Sequence, residues 1–163
     1  VPRTFEACAP SEHDCAVRVL VVGEPGVGKS CLVRRFVDGT FAECQPPLAL
    51  GMDYSSVGLL IDGLAPSGAR RVRLQIWDAP GRVRFPALVQ QWYRDCDAVL
   101  LLFDVCGSAS FQGVPAWLDE VERYVPEGTP VCLVGSKVDA AESRVVSSSE
   151  ALALAEARGA RYH

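Results

Sequence analysis

Eight consecutive residues, 23–30, read G-E-P-G-V-G-K-S and match the phosphate-binding pattern G-x-x-x-x-G-K-[ST]. The short β-branched run 17–22 before them predicts a buried strand, and residues 31–37 predict the helix that follows. A glycine-rich turn between a strand and a helix points backbone N–H groups at one place, where the helix N-terminus adds positive partial charge. A glycine turn that matched by coincidence would not need this strand and helix. The sequence therefore predicts a site for the phosphates of a nucleoside triphosphate.

The sequence predicts specific roles for two side chains of this loop. Lys29 can reach the β- and γ-phosphates, and the Ser30 hydroxyl can bind Mg²⁺. We expect the nucleotide to contact the loop along its length and at the start of the helix, at Glu24, Pro25, Gly26, Val27, Gly28, Lys29, Ser30 and Cys31.

The size and charge of the chain favour a single folded domain. It has 163 residues, of which 49% are hydrophobic and 22% charged, so it can bury a core and is not typical of a disordered chain. The net charge of −4 gives no support to nucleic-acid binding, which usually needs a basic surface. The small basic clusters at 34–35 and 70–73 are better explained as solvated surface.

The cysteines and the apolar runs indicate a cytoplasmic protein without a membrane span. Seven cysteines are scattered with no C-x-x-C pair, which favours reduced thiols. The longest uninterrupted apolar run, 98–103, is far too short to cross a bilayer.

Strand and helix patterns alternate along most of the chain. Residues 1–16 mix proline, serine and charged residues and predict a flexible leader, so that the folded domain covers 17–163. Beyond the phosphate loop, the patterns predict strands at 54–62, 71–77, 97–104 and 130–135 and helices at 111–124 and 147–158. Such an order predicts a three-layer α/β domain with a mostly parallel sheet.

Further motifs make the chain resemble a small GTPase of the Rab branch of the Ras superfamily, over 17–163. Residues 77–81 read W-D-A-P-G, similar to W-D-x-x-G, and 135–139 read G-S-K-V-D, similar to G-N-K-x-D. Rab-like segments are L-G-M-D-Y at 50–54, R-L-Q-I-W at 73–77, W-Y-R at 92–94 and F-D-V at 103–105. The resemblance implies a P-loop G domain that binds GTP or GDP with Mg²⁺, meets effectors and exchange factors through its switch regions, and acts in vesicle trafficking.

The resemblance also implies roles for individual residues. Asp78 would join Ser30 in holding Mg²⁺, and the N–H of Gly81 would bind the γ-phosphate. Asp139 would accept two hydrogen bonds from the guanine edge, and Lys137 would lie over the base plane.

Phe41 and Ser136 would complete the base site. Phe41 matches the aromatic that packs on the base edge, although a core aromatic is the alternative for this residue. Ser136 replaces the asparagine of N-K-x-D and would shorten a polar clamp between the base-binding loop and the phosphate loop.

Two substitutions put hydrolysis in doubt. Arg82 stands at the position of the family's catalytic glutamine, which in Ras orients the attacking water. A guanidinium has donors but no acceptor with which to do this. Arg82 as a built-in arginine finger is the alternative. Ala49 replaces the Mg²⁺-binding threonine and removes its hydroxyl.

Relatives in this family continue beyond the point where this sequence stops. Residues 159–163 match the entry into the family's last strand, so the last strand and helix would be lacking. The prenylated cysteines of the family are also absent from these residues, and membrane association would require a longer, lipidated C-terminus.

Two functions therefore stay open from the sequence. The first is a GTP-driven switch with impaired hydrolysis, and the second is a nucleotide-binding scaffold that hydrolyses hardly at all. A P-loop kinase or ATPase is disfavoured because Asp139 and the Rab-like segments indicate guanine.

Overall fold

The computed structural model of the chain describes residues 5–8, 13–41, 52–65, 68–79 and 86–163. Its strands are β1 (Phe5–Cys8), β2 (Cys15–Gly23), β3 (Asp53–Ala65), β4 (Gly68–Asp78), β5 (Ala98–Asp104), β6 (Val131–Ser136) and β7 (Arg161–Tyr162). Within these residues the strands form one sheet in the order β1-β3-β4-β2-β5-β6-β7. The five strands from β4 to β7 in that order are parallel, and β1 and β3 add an antiparallel edge.

Helices cover both faces of this sheet. They are α1 (Lys29–Asp38), α2 (Pro86–Asp95), α3 (Ser108–Gln112), α4 (Val114–Tyr124) and α5 (Ser148–Ala157). Successive residues of β2 point to opposite faces, as the two-residue period of a strand requires. Leu20 and Val22 pack in a core with Leu118 of α4, while Val21 packs in a second core with Val33 of α1. The predicted three-layer α/β fold with a mostly parallel sheet is confirmed.

The N-terminal segment differs from the expected flexible leader. Residues Phe5–Cys8 pair antiparallel with Gly58–Ile61 of β3, and β2 already begins at Cys15. Pairing with β1 satisfies backbone groups that β3 would otherwise expose along the edge of the sheet. Four residues between proline-containing stretches are too short a run to stand out as a strand by composition.

The helix predicted at 111–124 is two helices. Gly113 separates α3 from α4, and its N–H bonds to the carbonyls of Ala109 and Phe111. Pro115 lies in the first turn of α4, where the missing N–H of proline costs no helical hydrogen bond. Helix α2 at Pro86–Asp95 is not among the predicted elements.

The predicted helix start at Ser147 is confirmed by its capping box. The Ser147 hydroxyl accepts the N–H of Glu150 at 3.2 Å, and the Glu150 carboxylate accepts the Ser147 N–H at 3.0 Å. The Ser147 hydroxyl also lies 2.8 Å from Oε2 of Glu150 as a donor, and this bond, followed by the one from the Ser147 N–H, lowers the pKa of Glu150.

The C-terminal residues begin a strand that the resemblance predicts to be lacking. Arg161 and Tyr162 pair parallel with β6 and form β7 at the edge of the sheet. The first part of the family's last strand is therefore present in this chain.

The helices within the described ranges are too short or too polar to cross a membrane.

Candidate functional site

The phosphate loop leaves β2 at a position that only glycine can occupy. Gly23 has a φ of +137° and lies opposite Leu102 of β5. A Cβ added at Gly23 would stand 2.3 Å from the Leu102 carbonyl oxygen, which is a backbone atom and cannot rotate away. The loop therefore turns out of the sheet against the backbone of β5.

This contact predicts a large stability loss for Gly23→Ala. Gly128→Ala is a matched control, because Gly128 also has a positive φ, +83°, but its added Cβ would meet nothing within 4 Å. We expect the control to cost about 1 kcal/mol from backbone strain alone, and Gly23→Ala to cost at least about 3 kcal/mol because the collision adds to the strain. Urea unfolding of the nucleotide-free chain measures both, and equal losses would show that the Leu102 contact is not limiting.

The rest of the loop is shaped for close approach of an anion. Gly26 and Gly28 have φ values of +78° and +93°, a conformation that side-chain-bearing residues rarely adopt. Helix α1 begins directly after Gly28, which as the N-cap has no side chain to accept the first N–H groups of the helix. Backbone donors and the positive end of the helix are thus directed at one point.

Lys29 lies across the loop. Its side chain is buried, and Nζ donates to the carbonyl oxygens of Gly23 and Glu24 at 2.9 Å each. Burial lowers the pKa of Lys29, and the carboxylates of Asp78 and Glu24 oppose this shift. The loop carbonyls therefore hold the ammonium group. Oxygens of a bound phosphate would lie beside it and replace the water that burial removes.

Asp78 and Ser30 meet as the sequence predicts for a metal site. Asp78 ends β4, beside Val21 of β2, and is only 3% exposed. The Ser30 hydroxyl donates to Oδ2 of Asp78. Burial raises the pKa of Asp78, and the hydrogen bond from Ser30 and the charge of Lys29 oppose the shift.

The other oxygen of Asp78 indicates what this pair is suited to bind. Among the described residues, Oδ1 of Asp78 is buried and has no hydrogen-bond partner. A buried carboxylate oxygen without a donor is costly unless a cation or water satisfies it. Carboxylate and hydroxyl oxygens are ligands that Mg²⁺ prefers, so these residues fit the metal that the resemblance implies.

Ser136, at the end of β6, contacts the phosphate loop. The Ser136 hydroxyl lies 2.6 Å from the Val27 carbonyl oxygen and 2.9 Å from that of Phe103. A hydroxyl has one hydrogen to donate, so the two carbonyls share it. Ser136 therefore links the end of β6 to the phosphate loop at Val27.

Lys137 and Asp139 lie in a turn after β6. Lys137 has a φ of +60°, and its carbonyl accepts the N–H of Ala140 at 3.1 Å. Lys137 lines a cavity of about 680 Å³ whose wall also contains Pro25 and Gly26. The Asp139 side chain is exposed, and Asp139 follows Lys137 by two residues in the sequence. The turn therefore brings Lys137 to the same opening as the phosphate loop, and the contact of Asp139 with a base stays a prediction.

The remaining predicted residues divide into two groups. Phe41 is 67% exposed, so the alternative of a core aromatic is wrong, and its contact with the base stays a prediction. Gly81, Arg82 and Ala49 lie outside the residues that the structure describes.

Two contacts of the site are not predicted by the sequence. Asp104, at the end of β5, lies with Oδ2 2.7 Å from Nζ of Lys137. The indole N–H of Trp117 in α4 donates to the Glu24 carboxylate at 3.2 Å. Asp104 sits inside the F-D-V segment at the carboxyl end of a predicted parallel strand, which is a signal for a site. The pattern around Trp117 indicates only a helix face.

Comparisons with known proteins agree with this geometry. The model of the Ras family matches residues 18–163. The human Ras-related protein Rab-26 is 40% identical over 147 residues, which cover 90% of this chain and 55% of Rab-26. Human Rab-37 is 35% identical over 97% of this chain and 68% of its own length, and human Rab-30 is 37% identical over 93% and 71%. The chain spans about half the length of the Rab-26 relatives. It belongs to the Ras family and, within it, to the Rab-like small GTPases.

Proposed function

We propose that this chain binds GTP and GDP with Mg²⁺ and acts as a Rab-like switch whose hydrolysis is impaired. The observation that carries most weight is the pairing of a glycine-shaped phosphate loop with Asp78, a buried carboxylate whose Oδ1 has no partner among the described residues. An anion cradle beside an unsatisfied acidic oxygen suits a phosphate–metal pair better than either ligand alone.

The same residues divide the binding of the nucleotide among them. The loop 24–28 and Lys29 would hold the phosphates, while Ser30 and Asp78 would hold Mg²⁺. When bound, Mg²⁺ supplies positive charge that neutralises the phosphates. Asp139 would accept the donors of the guanine edge, and Lys137 would cover the base. Phe41 and Gly81 would contact the base edge and the γ-phosphate.

Impaired hydrolysis is proposed from two residues. Arg82 offers no acceptor to orient a water molecule, and Ala49 offers no hydroxyl to the metal. If hydrolysis is negligible rather than slow, the chain is instead a nucleotide-binding scaffold. In either case effectors and exchange factors would bind through the switch regions, and the Rab relatives support a role in vesicle trafficking.

Guanine preference is the first expected result. The Asp139 carboxylate can accept hydrogen bonds from the two N–H donors of the guanine edge. The corresponding edge of adenine does not offer this pair of donors. Leaving such hydrogen bonds to a charged group unmade typically costs about 2 kcal/mol, so GDP should displace labelled GDP more than about tenfold better than ADP does. Asp139→Asn should remove most of this preference, whereas Asp62→Asn, an exposed carboxylate in the β3–β4 hairpin, should keep it. Equal displacement by ADP and GDP would reject the proposal.

Single-turnover hydrolysis of bound GTP separates the switch from the scaffold. A slow but measurable rate that depends on Mg²⁺ supports the switch. Complete retention of GTP over many hours, with nucleotide still bound, supports the scaffold.

A further inference from the structure

The base-covering lysine is held by a carboxylate outside the nucleotide-binding motifs. Asp104 ends β5 and is paired in register with Ser136, so Lys137 follows one residue beyond this pair. Nζ of Lys137 lies 2.7 Å from Oδ2 of Asp104. The second oxygen, Oδ1, accepts the N–H of Cys106 at 2.8 Å. The carboxylate is therefore fixed by its own loop while it binds the ammonium group.

The backbone conformation of Lys137 indicates that surrounding contacts hold this residue in place. Lys137 is the one residue other than glycine with a positive φ among the residues that the structure describes. This conformation is strained in a residue with a Cβ and persists only where surrounding contacts hold it. The ion pair with Asp104 is one such contact, together with the hydrogen bond that the Lys137 carbonyl accepts from Ala140.

Burial distinguishes this ion pair from a surface pair. The Asp104 side chain is 16% exposed and that of Lys137 is 45% exposed, whereas the pair formed by Arg18 and Asp97, 3.4 Å apart, has side chains that are 45% and 43% exposed, so the two pairs differ at the carboxylate. Water and salt screen a half-buried pair less than an exposed one. The Asp104 pair is therefore the one expected to hold a side chain in place.

We propose that Asp104 is a positioning residue for base recognition. Both Asp104 and Lys137 line the 680 Å³ cavity beside the phosphate loop, so the ion pair holds the apolar stem of Lys137 along the cavity wall. A free lysine would lose side-chain entropy on binding the base, whereas the ion pair with Asp104 orders Lys137 before the base binds. This inference rests on the proposed function, since it requires a guanine base in the cavity.

The test is a double-mutant cycle on the 163-residue chain, read as the dissociation constant of fluorescently labelled GDP with Mg²⁺. The variants are Asp104→Asn, Lys137→Gln and the two combined. Asparagine keeps the shape of the side chain and can still accept the Cys106 N–H. Asp97→Asn is the matched control, because it makes the same charge change in an exposed pair. Thermal unfolding of each nucleotide-free variant measures any loss of fold.

The positioning role predicts a distinct pattern. Asp104→Asn should weaken labelled GDP binding about tenfold, and Asp97→Asn should leave it unchanged within about twofold. The combined variant should bind no more weakly than Lys137→Gln alone within about twofold, because Asp104 acts through Lys137. A merely structural role would instead give additive losses.

Three results would overturn the inference. The first is that Asp104→Asn binds labelled GDP as tightly as the wild type or more tightly. The second is that the losses in the cycle are additive. In both cases the proposed function would stand. Failure of the unaltered chain to bind labelled GDP would reject the proposed function and the positioning role together.

Discussion

Replacing Lys29 with methionine should weaken GDP binding by at least about a hundredfold, which corresponds to about 2.7 kcal/mol. Among the described residues of the loop, its ammonium group is the charged donor, and it lies 2.9 Å from two loop carbonyls. Charge-assisted hydrogen bonds to phosphate contribute about 1.5–3 kcal/mol each, so the loss of two accounts for the effect. Methionine preserves the length of the stem and fits a buried site.

The fold should tolerate this substitution better than nucleotide binding does. Burial lowers the pKa of Lys29, so the nucleotide-free chain holds this cation at a cost that methionine removes. We therefore expect the melting temperature of the nucleotide-free variant to stay close to that of the wild type. Arg123→Met in α4, an exposed residue, is the control for loss of a positive charge. If Lys29→Met bound GDP within about threefold of wild type, phosphate binding by this loop would be rejected.

Arg82→Gln should accelerate single-turnover GTP hydrolysis about tenfold. Glutamine restores an acceptor that can orient the attacking water, and groups with such roles contribute about 10²–10⁴-fold to hydrolysis. The expected gain is smaller than that range because Ala49 still withholds the metal-binding hydroxyl. Ala49→Thr added to Arg82→Gln should therefore raise the rate further.

Arg84→Gln is the matched control for this prediction. It makes the same change of charge two residues along the same segment and should leave the rate unchanged. A slower reaction in Arg82→Gln would instead favour the arginine-finger alternative, in which the guanidinium stabilises the charge of the transition state. The impaired-switch account would then be abandoned.

The sequence is most informative where one residue type has one physical use. Gly23 can be identified as part of a phosphate loop because the glycines lie between a predicted strand and a predicted helix start. In the structure these glycines have φ values that residues with side chains disfavour. Ser147 indicates a helix start because a hydroxyl three residues before a glutamate makes the reciprocal hydrogen bonds of a capping box. In both cases the determining contacts are local in sequence.

The sequence is least informative where distant segments decide the outcome. Phe5–Cys8 becomes a strand because β3, about fifty residues away, presents an unpaired edge. Gly113 divides a helix whose apolar spacing runs continuously across it, because hydrophobic periodicity is insensitive to one glycine. The ion pair of Asp104 with Lys137 depends on the register between β5 and β6, which composition does not reveal.

Ser136 makes a contact that residue size alone does not reveal. The resemblance implies that the side chain of Ser136 would shorten a polar clamp between the base-binding loop and the phosphate loop. Its hydroxyl nevertheless lies 2.6 Å from the Val27 carbonyl oxygen, because the loop passes directly beside the end of β6. The contact depends on backbone proximity, which is a property of the fold.

The central claim is that this chain selects a guanine nucleotide through its phosphate loop and base-binding turn. The most direct measurement equilibrates the purified chain with equal excess GDP and ADP in the presence of Mg²⁺, removes free nucleotide, and identifies what is extracted from the protein. The account predicts GDP at close to one equivalent, little ADP, and neither nucleotide on Lys29→Met. Comparable amounts of GDP and ADP, or no bound nucleotide on the unaltered chain, would contradict it.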